Sequence, residues 1–226
     1  MSESWLILET SGRVAKVGLA RGGAVVRSME LTDVRRHARD LASTVAELLK
    51  AESLAPADLT GVMASRGPGS YTGLRVGLIS AKALAYTTGC NLVAVETFAA
   101  IAEQSPAEAP EVWVFADALQ NSIYVQGYRR AAGGWHAVDA LRIVPFNEWL
   151  PNAAEKWITG PGVAVYADRL SNQCRLVSEA EREPRVESVF AVGKRLESLS
   201  REALFALEPL YLRPSSAEEK ATRVNK

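Results

Sequence analysis

Apolar residues come in short runs near the start of this chain and at helical spacing soon after. Trp5–Leu8 is a run of four that ends in the turn-forming Glu9-Thr10-Ser11-Gly12. Val14–Ala20 has strand-like composition, Arg21-Gly22-Gly23 reverses the chain, and Ala24–Met29 continues it. Together these segments predict a β-meander. Val34, Ala38, Leu41, Ala42, Val45, Leu48 and Leu49 then recur on one helical face, which predicts a helix over Asp33–Lys50 with Asp33 placed to cap it. After Pro56, Leu59–Ala64 reads as a buried strand running into Gly67-Pro68-Gly69. A second helix is expected over Gly73–Thr88, stopped by Gly89. Leu92–Val95 reads as strand and Phe98–Glu103 as helix.

Pro106-Ala-Glu-Ala-Pro110 reads as a linker, and beyond it the plan restarts. Trp113-Val-Phe-Ala leads into Asp117 as Trp5-Leu-Ile-Leu leads into Glu9, each acid four residues after its Trp. Asn121-Ser122 turns into Ile123–Tyr128, and Gly133-Gly134 turns into Trp135–Val138, as Gly22-Gly23 did before. A second Gly-Pro-Gly stands at Gly160–Gly162. The order of these features points to an internal duplication, against the alternative that meanders with glycine turns recur by coincidence. One last helix is expected over Ser188–Leu207, followed by a polar end over Arg213–Lys226.

Composition narrows the classes. With 226 residues and 48% hydrophobic residues the chain can bury a sizeable core in one or two domains. Lys plus Arg equal Asp plus Glu at 26 each, which leaves no overall basic field for gripping nucleic acid unaided. Cys90 and Cys174 form neither a CxxC pair nor a disulfide framework, as expected of a protein in a reducing cytosol. MSESWLILETSGR lacks a positive n-region and does not read as a signal peptide, and no apolar stretch reaches the roughly 18 residues of a membrane span.

The segment Arg66–Gly77, RGPGSYTGLRVG, carries the most information. Glycines permit positive φ and close backbone approach, the amides at a helix start attract anions, and Ser70 or Thr72 can cap that helix. An anion site, a shaped docking surface and a plain strand-to-helix turn all fit the spacing. The segment does not match the GxxxxGK[ST] of a phosphate-binding loop, nor the GxSxG of a nucleophile elbow. Gly67, Gly69 and Gly73 come closer to a dinucleotide fingerprint, with Glu96 ending the next strand where a ribose-binding acid would lie. An NAD(P)-binding Rossmann-type enzyme is therefore the alternative from pattern, opposed by the proline in the turn and by the two meanders.

Glu9 and Asp117 sit at equivalent hairpin ends, where nucleotide-binding folds of the actin, hexokinase and Hsp70 type place carboxylates toward a metal-bound phosphate; the competing reading is a hydrogen-bonded turn acid. His37 has Leu41, not a second His, at i+4, and the other histidine, His136, lies in a predicted strand. A metal site is not expected from these residues. A protease reading lacks both an HxxxH pair and a placeable triad.

ILETS, RRHARDL on the first helix, ASRGPGSYTGLRVGLISAKALA, VAVETFAAIA, FADALQNSIYV and PLYLR span nearly the whole chain, and together they resemble the bacterial TsaB (YeaZ) family. The resemblance implies an α/β, two-lobed actin/Hsp70-like fold, a duplicated mixed sheet flanked by helices with a reduced second lobe. The lobes are expected over 1–105 and 106–226, the last helix packing back on the first. It also implies a cytoplasmic, non-catalytic partner of the enzyme TsaD. With the ATPase TsaE, that enzyme places threonylcarbamoyl on adenosine 37 of transfer RNAs reading ANN codons. A homodimer is implied when the chain is alone, with tRNA met only through the complex. No cofactor of its own is implied, with room for ATP or ADP at the partner interface. Carried over by position, the partner interface comprises Arg36, His37, Leu41, Ser70, Tyr71, Thr72 and Arg75, while Glu9, Ser11 and Asp117 are ligand-binding candidates. Two positions depart from the family: Glu9 stands where Asp is usual, and Leu119 where an Arg often follows Asp-Ala. Both weaken an inherited metal–phosphate site.

Overall fold

A computed structural model of the chain describes residues 3–31, 37–170 and 174–212, with backbone alone for 37–39. The N-terminal meander forms as β1 (Ser4–Glu9), β2 (Ala15–Arg21) and β3 (Ala24–Leu31). Gly22 and Gly23 turn it with φ of 58° and 89°, the two positive values that a tight hairpin between right-twisted strands requires. Helix α1 (His37–Ala51), β4 (Gly61–Gly67), α2 (Tyr71–Thr88), β5 (Asn91–Glu96) and α3 (Thr97–Glu103) complete the first half. The expected N-cap Asp33 lies outside the described residues.

The second half runs β6 (Glu111–Asp117), β7 (Ser122–Ala131), β8 (Gly134–Ala137), β9 (Arg142–Pro145), α4 (Phe146–Trp149), β10 (Trp157–Thr159), α5 (Gly162–Val165), α6 (Ala167–Leu170) and β11 (Arg175–Leu176). Then come α7 (Val186–Gly193) and α8 (Arg201–Ala206). The first sheet has the order β3-β2-β1-β4-β5, and the second repeats it as β8-β7-β6-β10-β11, with β9 added against β7. Directions repeat as well: each meander is antiparallel, and each later pair of strands joins in parallel. The duplication seen in the order of turns is therefore a duplication of topology. Gly67 and Gly160 even share a conformation, with φ of 111° and 106°.

The copies differ in register. Gly67 follows β4 beyond its pairing with β1, which ends at Leu8 and Ala64. Gly160 sits instead beside the middle of β6, where a Cβ on it would fall 2.3 Å from the Phe115 carbonyl oxygen. The second copy of the parallel strand is thus cut short at three residues, which is the physical form of the reduced lobe.

Apolar packing orders the layers. One face of the first sheet buries Leu6, Leu8, Val62 and Ala64 with Leu41, Leu48, Leu78 and Ala81 of α1 and α2. Its other face buries Ile7, Met63 and Val93 with Val189 and Phe190 of α7. Helices α3 and α7 pack on each other, and α3 also covers one face of the second sheet through Phe98 and Ile101. The far face carries Phe115 with Phe146, Trp149 and Tyr166. A single helix over Ser188–Leu207 was expected, but the chain breaks into α7 and α8. Gly193 ends α7 against the first sheet, a Cβ there lying 2.4 Å from Met63 Sδ, and Leu199 N–H then bonds the Leu92 carbonyl at 2.8 Å beside β5. An edge-strand hydrogen bond has overridden helical spacing.

Candidate functional site

The glycine-rich segment is built around the first hairpin's turn. β4 delivers Gly67, the Gly67–Pro68 bond is cis, and Ser70 begins α2, its Oγ accepting from Gly73 N–H at 3.2 Å. Ser70 is thus the cap, and Gly89 closes the helix in the left-handed region with φ of 75°. Gly69, Gly73 and Gly77 recur every four residues and form a track. A Cβ at Gly69 would lie 2.5 Å from the Ser11 carbonyl oxygen, at Gly73 2.1 Å from the Thr10 carbonyl oxygen, and at Gly77 2.1 Å from Thr10 Oγ1. The turn Glu9–Ser11 lies in that track. Two amides that an anion would use are already committed, Ser70 N–H to the Ser11 carbonyl at 2.7 Å and Gly73 N–H to Ser70 Oγ. Here the glycines serve backbone packing, and the anion-cradle reading of the spacing gives way to it.

Glu9 is 1% exposed. Its Oε1 accepts from Ser11 N–H at 2.7 Å and from Ser11 Oγ at 2.5 Å, while Oε2 is buried with no hydrogen-bond partner. Burial pushes the Glu9 pKa up from its ordinary value, against the opposing hydrogen bonds from Ser11. Asp117, its counterpart, accepts from Leu119 N–H at 3.0 Å and from the Tyr166 hydroxyl at 3.1 Å. The next turn holds Leu119, Gln120 and Asn121 at φ of 64°, 52° and 56°, three consecutive left-handed residues. Two of the three ligand-binding candidates, Glu9 and Asp117, thus accept hydrogen bonds from the turn that follows them, and Asp117 also from Tyr166 outside its hairpin. The third, Ser11, donates to Glu9 through both its N–H and its hydroxyl.

A strap that the sequence did not reveal closes over the first hairpin. Between β11 and α7 the chain crosses back to the first sheet, and it is latched by Gln104. The Gln104 amide donates to the carbonyls of Glu181 and Glu183 at 2.9 Å each and accepts from Arg185 N–H at 3.0 Å. Lys16 Nζ bonds the Pro184 carbonyl at 2.8 Å. Glu183 Oε2 is set 3.2 Å from where a Cβ on Gly12 would be, and burial raises the Glu183 pKa. The signal for the strap is spread over residues far apart in sequence, so no local pattern announces it.

The outer side of α2 presents Thr72, Arg75, Ile79, Ala83 and Tyr86, with Ile79 65% and Tyr86 60% exposed. Arg75 lies over the Tyr71 ring at 4.1 Å. Beside this stripe an apolar groove of about 380 Å³ runs between α1 and α2, lined by Leu41, Val45, Ser80, Ala83, Leu84 and Thr87. Leu41 faces inward at 1% exposure and forms part of the groove's floor. Arg36 lies outside the described residues, as does the side chain of His37. The structure thus brings Ser70, Tyr71, Thr72 and Arg75 together at the start of α2 and keeps Glu9, Ser11 and Asp117 within the hairpins. Glu96, the ribose-acid candidate, pairs with Arg66 Nη2 at 2.7 Å. The strand order of the first sheet imitates a dinucleotide-binding fold, but β2 and β3 run antiparallel, which excludes the Rossmann alternative. Among the described residues no group of three or more His, Cys, Asp or Glu side chains could hold a metal ion. Nor is any described helix long and apolar enough to cross a membrane.

A family model described as TsaD, tRNA N6-adenosine threonylcarbamoyltransferase, matches residues 29–159. The chain is 26% identical to the tRNA threonylcarbamoyladenosine biosynthesis protein TsaB of Bacillus subtilis (strain 168) over 223 residues, covering 95% of this chain and 96% of that one. The protein of the same name from Escherichia coli (strain K12) is 26% identical over 231 residues, with 95% and 96% covered. The chain belongs to the TsaB (YeaZ) family. YeaZ from Pseudomonas aeruginosa has the same fold, with a TM-score of 0.77 at 24% identity over 93% of this chain and 100% of that one. The stretch matched by the TsaD model takes in α1, the glycine track and the β6–β8 meander, and leaves out β1, β2 and the Glu9–Ser11 turn.

Proposed function

We propose that this chain acts in threonylcarbamoylation of tRNA as a non-catalytic subunit that pairs with a TsaD-type enzyme, alongside a TsaE-type ATPase. Its own lobes, 1–105 and 106–226, serve as a scaffold, and Ser70, Tyr71, Thr72 and Arg75 at the start of α2 belong to the partner face, together with Arg36, His37 and the groove over Leu41. One observation carries the non-catalytic part of this reading. The hairpin turn that would hold a metal-bound phosphate is packed against the glycine track of α2, and its carboxylate is buried with one oxygen engaged by Ser11. A residual nucleotide, ATP or ADP, is then expected at the joint with the partner rather than inside this chain. The exposed stripe and groove of α2 supply the second half of the reading, because apolar surface beside polar anchors suits a helix-built interface. Equal numbers of acidic and basic residues fit a cytoplasmic subunit that leaves tRNA to its companions, and the same face accounts for a homodimer in the partner's absence.

Depletion of the protein from its host is the test. The expected outcome is loss of threonylcarbamoyl-adenosine from bulk tRNA, restored by the wild-type chain and not by a chain carrying Arg75→Glu. Unchanged modification after depletion would refute the assignment.

A further inference from the structure

Of the PLYLR motif, Pro209 to Arg213, the described residues 209–212 take no part in the hairpins or the sheets. Its described part ends a second strap, which runs from α8 back along α2 to that helix's start. Leu204 and Leu207 are buried in the first core at 8% and 9% exposure, and Ser200 caps α8 through Ala203 N–H at 3.2 Å. Lys82 of α2 reaches across with Nζ to bond the carbonyls of Phe205 at 3.0 Å and Leu207 at 2.9 Å. Leu210 N–H then bonds the Arg66 carbonyl at 2.8 Å. Fastened at these points to β4 and α2, the strap brings Tyr211 to one place on the surface. The Tyr211 ring lies 4.8 Å from the Tyr71 ring at 33°. Its hydroxyl accepts from Arg75 Nε at 2.7 Å, and the guanidinium carbon lies 4.1 Å above Tyr71 and 5.5 Å from Tyr211.

We propose that Tyr211 is a positioning residue for the partner contact, holding Arg75 in one orientation for a carboxylate on the TsaD-type partner; this rests on the functional reading given above. The physical argument is preorganisation. An exposed arginine carries a large rotamer entropy, lost on binding unless the side chain is already held. Two aromatic rings and one hydroxyl are among the groups that hold it here, and they contribute little to the stability of the chain alone, since exposed cation–π contacts are weak. A planar guanidinium fixed in this way suits bidentate recognition of a carboxylate, and arginine with tyrosine is the composition of an interface hot spot. The buried leucines and the Lys82 bonds keep the strap's base in place, so the strap belongs to the docking face and is not a cover to be removed.

The test is a double-substitution cycle read by calorimetry against the purified TsaD-type partner, with melting temperature as the fold control. Tyr211→Ala is expected to weaken pairing about tenfold at unchanged melting temperature, the effect of losing one hot-spot contact. Tyr211→Phe keeps the stacked ring without the hydroxyl and is expected to weaken it about threefold. In an Arg75→Ala background both changes at Tyr211 are expected to have no further effect, because residues acting as one unit are not additive. Wild-type pairing strength with Tyr211→Ala, or effects of Tyr211 and Arg75 that multiply, would overturn the proposal while leaving the functional reading intact. Should Tyr211→Ala not fold, the Tyr211→Phe arm decides in the same way. No pairing by the wild-type chain would refute the functional reading itself, and this proposal with it.

Discussion

Gly73 approaches Thr10 so closely that a β-carbon on the glycine would stand 2.1 Å from the Thr10 carbonyl oxygen. Gly77 repeats the relationship one turn later against Thr10 Oγ1, also at 2.1 Å. Helix α2 can lie on the first hairpin's turn only because these positions have no side chain.

Gly73→Ala and Gly77→Ala are therefore expected to destabilise the fold, although alanine is the better helix former by about 1 kcal/mol. Overpacking, against the Thr10 carbonyl at Gly73 and the Thr10 side chain at Gly77, costs roughly 1–3 kcal/mol, so the clash wins and the melting temperature drops, more for Gly73→Ala. Gly22→Asn is the contrast. Nothing lies within 4 Å of a Cβ there, the φ is 58°, and asparagine tolerates that conformation. Thermal melts of the three variants check the ranking, and an unshifted Gly73→Ala would rule out the track.

Glu9 gives a pH dependence whose sign is set by its raised pKa. The folded chain holds the Glu9 proton more tightly than the unfolded chain, whose value is near 4.5. As pH rises past that value, the unfolded state releases the proton first, and stability falls until the folded-state pKa is passed. Glu9→Gln has no proton to lose and keeps an oxygen for Ser11. The stability of wild type minus that of Glu9→Gln is thus expected to decrease as pH rises from 4 to neutrality, as measured by denaturant titration. Glu183 also carries a raised pKa, but it is common to both chains and cancels in the difference. A flat difference would mean that the carboxyl is not buried.

Arg75→Glu reverses the charge on the outer side of α2, and Tyr71→Ala removes the ring beneath it. Both side chains lie at the surface of the helix start, so the melting temperature of the free chain is expected to change little, as for most surface positions. Calorimetric pairing with a TsaD-type partner is expected to weaken at least tenfold for each. Full-strength pairing by both variants would remove the start of α2 from the interface.

Gln104→Ala cuts the latch on the strap at Glu179–Arg185, leaving the Glu181 and Glu183 carbonyls without that donor, while the Arg185 amide keeps Ser188 Oγ at 3.2 Å. Each unsatisfied backbone group costs roughly 1–3 kcal/mol where water cannot reach it, and less where it can. The chain is expected to stay folded overall while amide exchange of Glu181 to Arg185 speeds up, because loss of anchoring shows first as local opening. Exchange confined to wild-type rates would show that the Gln104 bonds do not anchor the strap.

Local chemistry determined more of this protein than its modest sequence identity to relatives suggests. Two glycines with positive φ made the first hairpin legible, the 3.6-residue period marked α1 and α2, and Gly89 marked where α2 stops. The matching order of turns revealed the duplication, because each turn needs its own residue types wherever the chain reverses. The short strands β9, β10 and β11 were not legible, being two to four residues long and held by neighbours distant in sequence. The break between α7 and α8 escaped for the same reason: Leu199 answers to Leu92, not to its own helical period.

The sequence alone placed RGPGSYTGLRVG between a strand and a helix and tied it to its family. It could not say what the glycines face. Tertiary structure decided that, since a missing side chain has meaning only against the atom that would meet it, here the backbone of Thr10 and Ser11. The same holds for Tyr211, 136 residues from Arg75 along the chain and 2.7 Å from it in space. Spacing along a sequence reports periods and turns, whereas a contact of that range exists only after the sheets have packed.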